Sequence, residues 1–141
     1  MSDEAKAVDE ADAAKAVDGA DAVPRRVDKP WGHELIWART DRYVGKLLVI
    51  DAGRRLSLQR HHVKDESVLV LSGRLRLSLE DDAGVVRTEE LGPGDARHVP
   101  TGRIHRFEAI ERVELVEAST TELDDVERLE DDFGRSGTSA P

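Results

Sequence analysis

From Val44 to about Ser119 the chain alternates short apolar runs with polar breaks. Leu75, Leu77 and Leu79 alternate with Arg74, Arg76 and Ser78, a period of two that predicts a strand with one buried face. Asp51-Ala-Gly53, Ser72-Gly73, Asp81-Asp82-Ala-Gly84 and Gly92-Pro-Gly94 supply turn chemistry between the runs. Many short strands at this spacing predict an all-β sandwich or barrel. After Thr120 the alternation stops. Glu122 to Asp132 is charged, with Leu123, Val126 and Leu129 three apart, which predicts a short helix or a strap across the barrel.

Ahead of this region the pattern is different. Residues 5–13 and 14–22 are near-copies, Ala-Lys-Ala-Val-Asp-Glu-Ala-Asp-Ala and Ala-Lys-Ala-Val-Asp-Gly-Ala-Asp-Ala. They have few large apolar groups to offset the entropy of ordering. Residues 1–23 therefore read as a disordered acidic tail, 24–135 as one folded domain, and 136–141 as a disordered end. A length of 141 residues suits a single domain. The formal net charge of -9 argues against a nucleic-acid surface, and no run of about 18 apolar residues predicts a membrane span. With no cysteine, disulfides and thiol catalysis are excluded. A cytoplasmic protein acting on a small molecule is the expectation.

Four residues carry candidate metal chemistry. Gln59 and His61 are two apart, Glu66 follows in an apolar run, and His105 lies beyond the rigid turn Pro100-Thr-Gly102. On a strand Gln59, His61 and Ser57 share one face, while Leu56, Leu58, Arg60 and His62 share the other. His61 is thus the expected ligand, with His62 the alternative ligand or a pocket-lining group. Two imidazoles, a carboxylate and an amide oxygen suit one divalent ion of Zn, Mn, Fe, Co or Ni.

These residues lie in two blocks whose intervals resemble the signature of the cupin superfamily. Gly53, Gln59, His61, Glu66 and Gly73 match the first block, and Gly94, Pro100, Gly102 and His105 match the second. Gln59 stands where many cupins have histidine, and in the second block only the closing asparagine differs, because Ala109 stands there. The resemblance implies a double-stranded β-helix, a jelly-roll barrel around one metal ion, and a homodimer paired through barrel edges.

Within that superfamily the chain is similar to type II phosphomannose isomerases, often the C-terminal domain of mannose-1-phosphate guanylyltransferases. Lys29-Pro-Trp-Gly32, Leu56-Ser-Leu-Gln59 with His61 and Glu66, Glu117, and Arg128-Leu-Glu-Asp with Phe133-Gly-Arg135 carry the likeness. It implies interconversion of mannose 6-phosphate and fructose 6-phosphate in making polysaccharide precursors, with any guanylyl transfer left to another protein. Such chemistry passes a proton between two carbons through an enediol, so an acid or base must reach the carbon while positive charge meets the oxyanion. Lys46, Lys64, His62 and Glu117 are the candidates for proton transfer. Arg135, by the family's closing motif, and Arg128 are the candidates for the phosphate. The family's metal segment has an arginine where Lys64 stands, and a histidine and tryptophan where Ser67 and Val68 stand. Two other readings follow from these departures: a sugar-binding or small-molecule-binding cupin without turnover, and another metal enzyme such as an oxygenase.

Overall fold

The computed structural model describes residues 22–135 and the backbone of Gly137 and Thr138. The tail expected at 1–23 lies outside the described residues except for its last two, and residues 136 and 139–141 also lie outside. Twelve strands are described: β1 Arg25–Lys29, β2 Gly32–Arg39, β3 Val44–Ile50, β4 Leu58–Arg60, β5 Glu66–Ser72, β6 Leu75–Glu80, β7 Val86–Leu91, β8 Ala96–Val99, β9 His105–Ala109, β10 Val113–Ser119, β11 Glu127–Glu130 and β12 Gly137–Thr138. Every pairing is antiparallel. One sheet has the order β1-β2-β3-β10-β5-β8 and the other β12-β11-β4-β9-β6-β7. This is the expected jelly-roll barrel.

The alternation read in the sequence survives in three dimensions. Along β5, Glu66, Val68 and Val70 are buried while Ser67, Leu69 and Leu71 are exposed, so the residues of one parity meet the core. That core joins Leu48, Ile50, Val68, Val70, Leu75, Leu77, Phe107, Val113 and Leu115 between the sheets. Gly73 allows a close approach of two backbones: at φ 82° it turns β5 into β6, and a Cβ there would lie 2.0 Å from the Arg112 carbonyl oxygen. Only glycine meets both conditions.

Polarity changes along the inward faces. The inward residues of β3 run Lys46, Leu48, Ile50; of β5 Glu66, Val68, Val70; of β9 His105, Phe107, Ala109; of β10 Val113, Leu115, Glu117. Strand register then gathers the polar members at one end, because Glu117 pairs with Lys46, Ser119 with Glu66, and Leu79 with His105. One end of the barrel interior is apolar; the other is lined by charge and imidazole.

Three expectations are corrected. Strands β1 and β2 precede the region read as strands; β1 is an edge strand whose Arg25, Arg26, Asp28 and Lys29 hide the period, as charged edges often do. Glu122 to Asp132 forms no helix, since of its three spaced apolar residues only Val126 is buried, and its backbone pairs with β4 as the strap does. Gly137 and Thr138, placed in a disordered end, pair with Arg128 and Glu127. Among the described residues no helix is long and apolar enough to cross a membrane.

The turn after the strap is held by Asp131, which accepts bonds from the backbone N–H of Arg135 at 2.7 Å and from its Nε and Nη2 at 3.0 and 2.8 Å. The hydrogen bonds from the Arg135 side chain hold the Asp131 carboxyl below its usual range against the effect of burial. A depressed acid contributes stability that is present above its unfolded pKa and lost as pH falls through the folded value. Asp131→Asn is expected to cost about 1–3 kcal/mol at neutral pH. Urea unfolding of both proteins should show that difference shrinking below about pH 4.

Candidate metal centre

His61 follows β4, Glu66 opens β5 and His105 opens β9, and the register of the strands brings the three together. Their ligand atoms lie within 4.8 Å of one another, and all three residues are buried. Glu66 Oε1 is 3.2 Å from His61 Nε2 and 3.2 Å from His105 Nε2. Two donors bound at about 2.1 Å to one ion, roughly at right angles or wider, lie about 3.0–3.4 Å apart.

The other ring nitrogens fix the chemistry of these contacts. His61 Nδ1 lies against the Asp125 carbonyl oxygen at 2.5 Å, and His105 Nδ1 against that of Arg103 at 2.8 Å. A carbonyl only accepts, so each Nδ1 carries a proton, and in the neutral ring each Nε2 presents a lone pair. His105 is fully buried, and its Nε2 has no hydrogen-bond partner. Two lone pairs and a carboxylate oxygen therefore converge in the interior. This is the donor set of a cation site, with backbone carbonyls orienting the imidazoles from behind. His61, Glu66 and His105 could hold a metal ion.

Gln59 reaches the same cavity and is buried, directly across from His105 in the β4–β9 pairing. Its Oε1 accepts a bond from the Ser57 hydroxyl at 3.2 Å, leaving a second lone pair for a further contact. Leu56 is buried as well, so the clean alternation expected before β4 holds from Ser57 onwards.

Next to the trio lies a chain of buried charges. Lys64 Nζ is 3.3 Å from Glu66 Oε2 and 3.4 Å from Glu117 Oε2, and Lys46 Nζ is 3.3 Å from Glu34 Oε2. Burial opposes the charge on Lys64, but Glu117 and Glu66 outweigh it and raise its pKa. Burial also opposes the charge on Glu66, and chiefly the Lys64 ammonium holds it well below the usual carboxylate range. Glu117, buried and beside Glu66, is pushed up to about 7. The cavity among these groups measures about 10 Å³, room for one water-sized group.

The other candidates are more scattered. His62 is exposed and meets Glu127 at 3.0 Å on the outer surface, so it lies outside the cavity where the sequence placed it as a possible base or ligand. Arg128 is buried, opposite Gln59 in the β11–β4 pairing; Arg135 is half-buried on Asp131. Two residues were missed. Glu34 lines the cavity as the partner of Lys46, and its inward parity on β2 was a usable signal. Asp125 had none: its carboxylate accepts the backbone N–H groups of His62, Val63 and Lys64 at 3.0, 2.6 and 2.8 Å, while its carbonyl orients His61.

Comparison with known proteins adds to this geometry. The family model described as mannose-6-phosphate isomerase C-terminal matches residues 18–131. The chain is 30% identical over 118 residues to a mannose-1-phosphate guanylyltransferase of Escherichia coli, covering 80% of this chain and 24% of the relative. It is 31% identical over 119 residues to the alginate biosynthesis protein AlgA of Pseudomonas aeruginosa, covering 81% of this chain and 24% of that protein. The chain thus spans about a quarter of the length of these relatives. Among solved structures, KdgF from Halomonas sp. aligns with TM-score 0.60 and 22% identity over 69% of this chain and 87% of that one. Oxalate decarboxylase from Bacillus subtilis aligns with TM-score 0.68 and 16% identity over 76% of this chain and 30% of that one. Those two likenesses bear on the barrel alone.

Proposed function

Since the chain belongs to the mannose-6-phosphate isomerase C-terminal family, we propose that it interconverts mannose 6-phosphate and fructose 6-phosphate with a divalent metal. The observation that carries this reading is the placement of the His61, Glu66 and His105 donors beside a buried ammonium and a second carboxyl. His61, Glu66 and His105 would hold the ion, with the Gln59 amide oxygen as a fourth donor. When bound, the ion supplies positive charge where a carbonyl oxygen becomes an oxyanion.

The chain's own groups would do the rest. Lys64 and Glu117, 3.4 Å apart, make a proton-handling pair within reach of the same cavity, and isomerisation needs one group that takes a proton from one carbon and returns it to the next. Lys46 is held by Glu34 on the far side of Glu117 in the strand register, where it can donate to a sugar hydroxyl. Arg128 and Arg135 serve the phosphate. His62, on the outer surface, has no part in the reaction.

A second reading, sugar-phosphate binding without turnover, is favoured by Ser67 and Val68, which stand where the family's metal segment has a histidine and a tryptophan. A coupled assay on protein loaded with zinc, manganese or cobalt separates the two: formation of mannose 6-phosphate from fructose 6-phosphate, abolished by Glu117→Gln, is the expected result. Saturable binding of either sugar phosphate with no conversion under any of the three metals would replace the first reading by the second.

A further inference from the structure

Lys29 sits at the end of edge strand β1, and its place follows from register. Val27 pairs with Glu34, whose side chain lines the cavity; Lys29 is two residues further on and shares that inward face. From the opposite sheet Arg128 pairs with Gln59, another cavity residue, so it too is on the inward face. Lys29 is half-buried, and among the described residues its ammonium makes no ion pair or side-chain hydrogen bond. Burial lowers its pKa; Glu34 is the one carboxylate acting on it, against Lys46, Arg135 and Arg128. Glu34 itself is taken by Lys46 at 3.3 Å. In a chain of net charge -9 this is a local excess of positive charge at the polar end of the barrel.

A separate observation lies two residues on. Trp31 is fully buried and lines the cavity, yet its indole Nε1 has no hydrogen-bond partner. A buried donor left unmade costs free energy that a bound acceptor recovers. Its position is fixed from both sides: the Trp31 carbonyl accepts the Asp51 N–H at 2.9 Å, and Gly32 lets the backbone lie so close to Val49 that a Cβ would be 2.0 Å from the Val49 carbonyl oxygen. A cation without a counter-ion and an N–H donor without an acceptor, from one short turn, ask for the same kind of partner.

We infer that Lys29 and the Trp31 indole N–H, together with Arg128 and Arg135, form an oxyanion subsite that takes the phosphate of a phosphate monoester. The inference rests on the proposed sugar-phosphate reading and goes beyond it by assigning the phosphate to the Lys-Pro-Trp-Gly turn. Arg135 is preset for this task, since Asp131 engages its Nε and Nη2 and leaves Nη1 outside that pair. Lys46, paired with Glu34 at 3.3 Å, lines the same cavity as Trp31 and adds to the positive charge there.

The test uses inorganic phosphate on the full chain without metal, so it reads the subsite and not turnover. The indole N–H resonance of Trp31, assigned with Trp37→Phe, is followed by 1H–15N NMR as phosphate is added. The expected result is a saturable downfield shift, competed by mannose 6-phosphate and not by mannose. Lys29→Met should weaken phosphate binding about tenfold or more, and Lys29→Arg should restore it to within a few-fold. Wild-type phosphate affinity in a folded Lys29→Met variant, or a Trp31 resonance that stays still while phosphate binds, would overturn the inference. Loss of the isomerase reading with these phosphate results intact would leave the subsite standing.

Discussion

His105→Ala is expected to lower affinity for cobalt(II) or zinc by more than about 100-fold, because groups that merely orient a ligand are commonly worth about 10–100-fold. His105 contributes a buried nitrogen with no partner other than the convergent site itself, so its loss removes a donor that nothing nearby replaces. Gln59→Ala is the contrast. Its oxygen is neutral and already accepts the Ser57 hydroxyl, and an effect of about tenfold or less is expected. Cobalt(II) absorption titrations read both affinities, and metal analysis after dialysis reads retention. Full retention by a folded His105→Ala variant would remove the metal centre from the account.

Lys64→Met is expected to be the most destabilising single change near the site. It leaves Glu66 and Glu117, both buried, without the ammonium between them. Removing one partner of a buried ion pair costs about 3–5 kcal/mol, because a charge stays behind uncompensated. For a domain of this size that corresponds to a fall of roughly 10–20 °C in Tm. Two controls separate charge from packing. Adding Glu117→Gln to Lys64→Met removes one stranded carboxylate and should recover part of the loss. Added zinc should also raise the Tm of Lys64→Met, since a cation on Glu66 takes over the role of the ammonium. Melting of the metal-free single variant at the wild-type temperature would show that the Lys64 pairs contribute no net stability.

How much was legible depended on whether a residue's role was local. Gln59, His61, Glu66 and His105 could be singled out because their spacing and the strand period are properties of the chain alone. The proton-transfer candidates were less clear. Lys64, Lys46 and Glu117 line the cavity, but His62, next to His61 in sequence, does not: one step along a strand reverses a side chain. Glu34 was missed because the charges of β1 concealed the hairpin that turns it inward. Asp125 was missed because its work on the turn before β5 comes from the strap, more than 60 residues away in sequence.

The sequence by itself determined the all-β class, the strand order of polarity and the residue types offered to a metal. These follow from period-two burial and from ligand chemistry, which need no knowledge of neighbours. The tertiary structure alone decided that His61 after β4 and His105 on β9 bring their Nε2 atoms to Glu66 Oε1 on β5. It also decided that Lys64 is locked between two carboxylates and that Lys29 and Trp31 hold unanswered charge and hydrogen-bonding capacity. The reason is physical: distance, burial and hydrogen-bond satisfaction are relations between strands, and antiparallel register, set by side chains far from the site, fixes all of them at once.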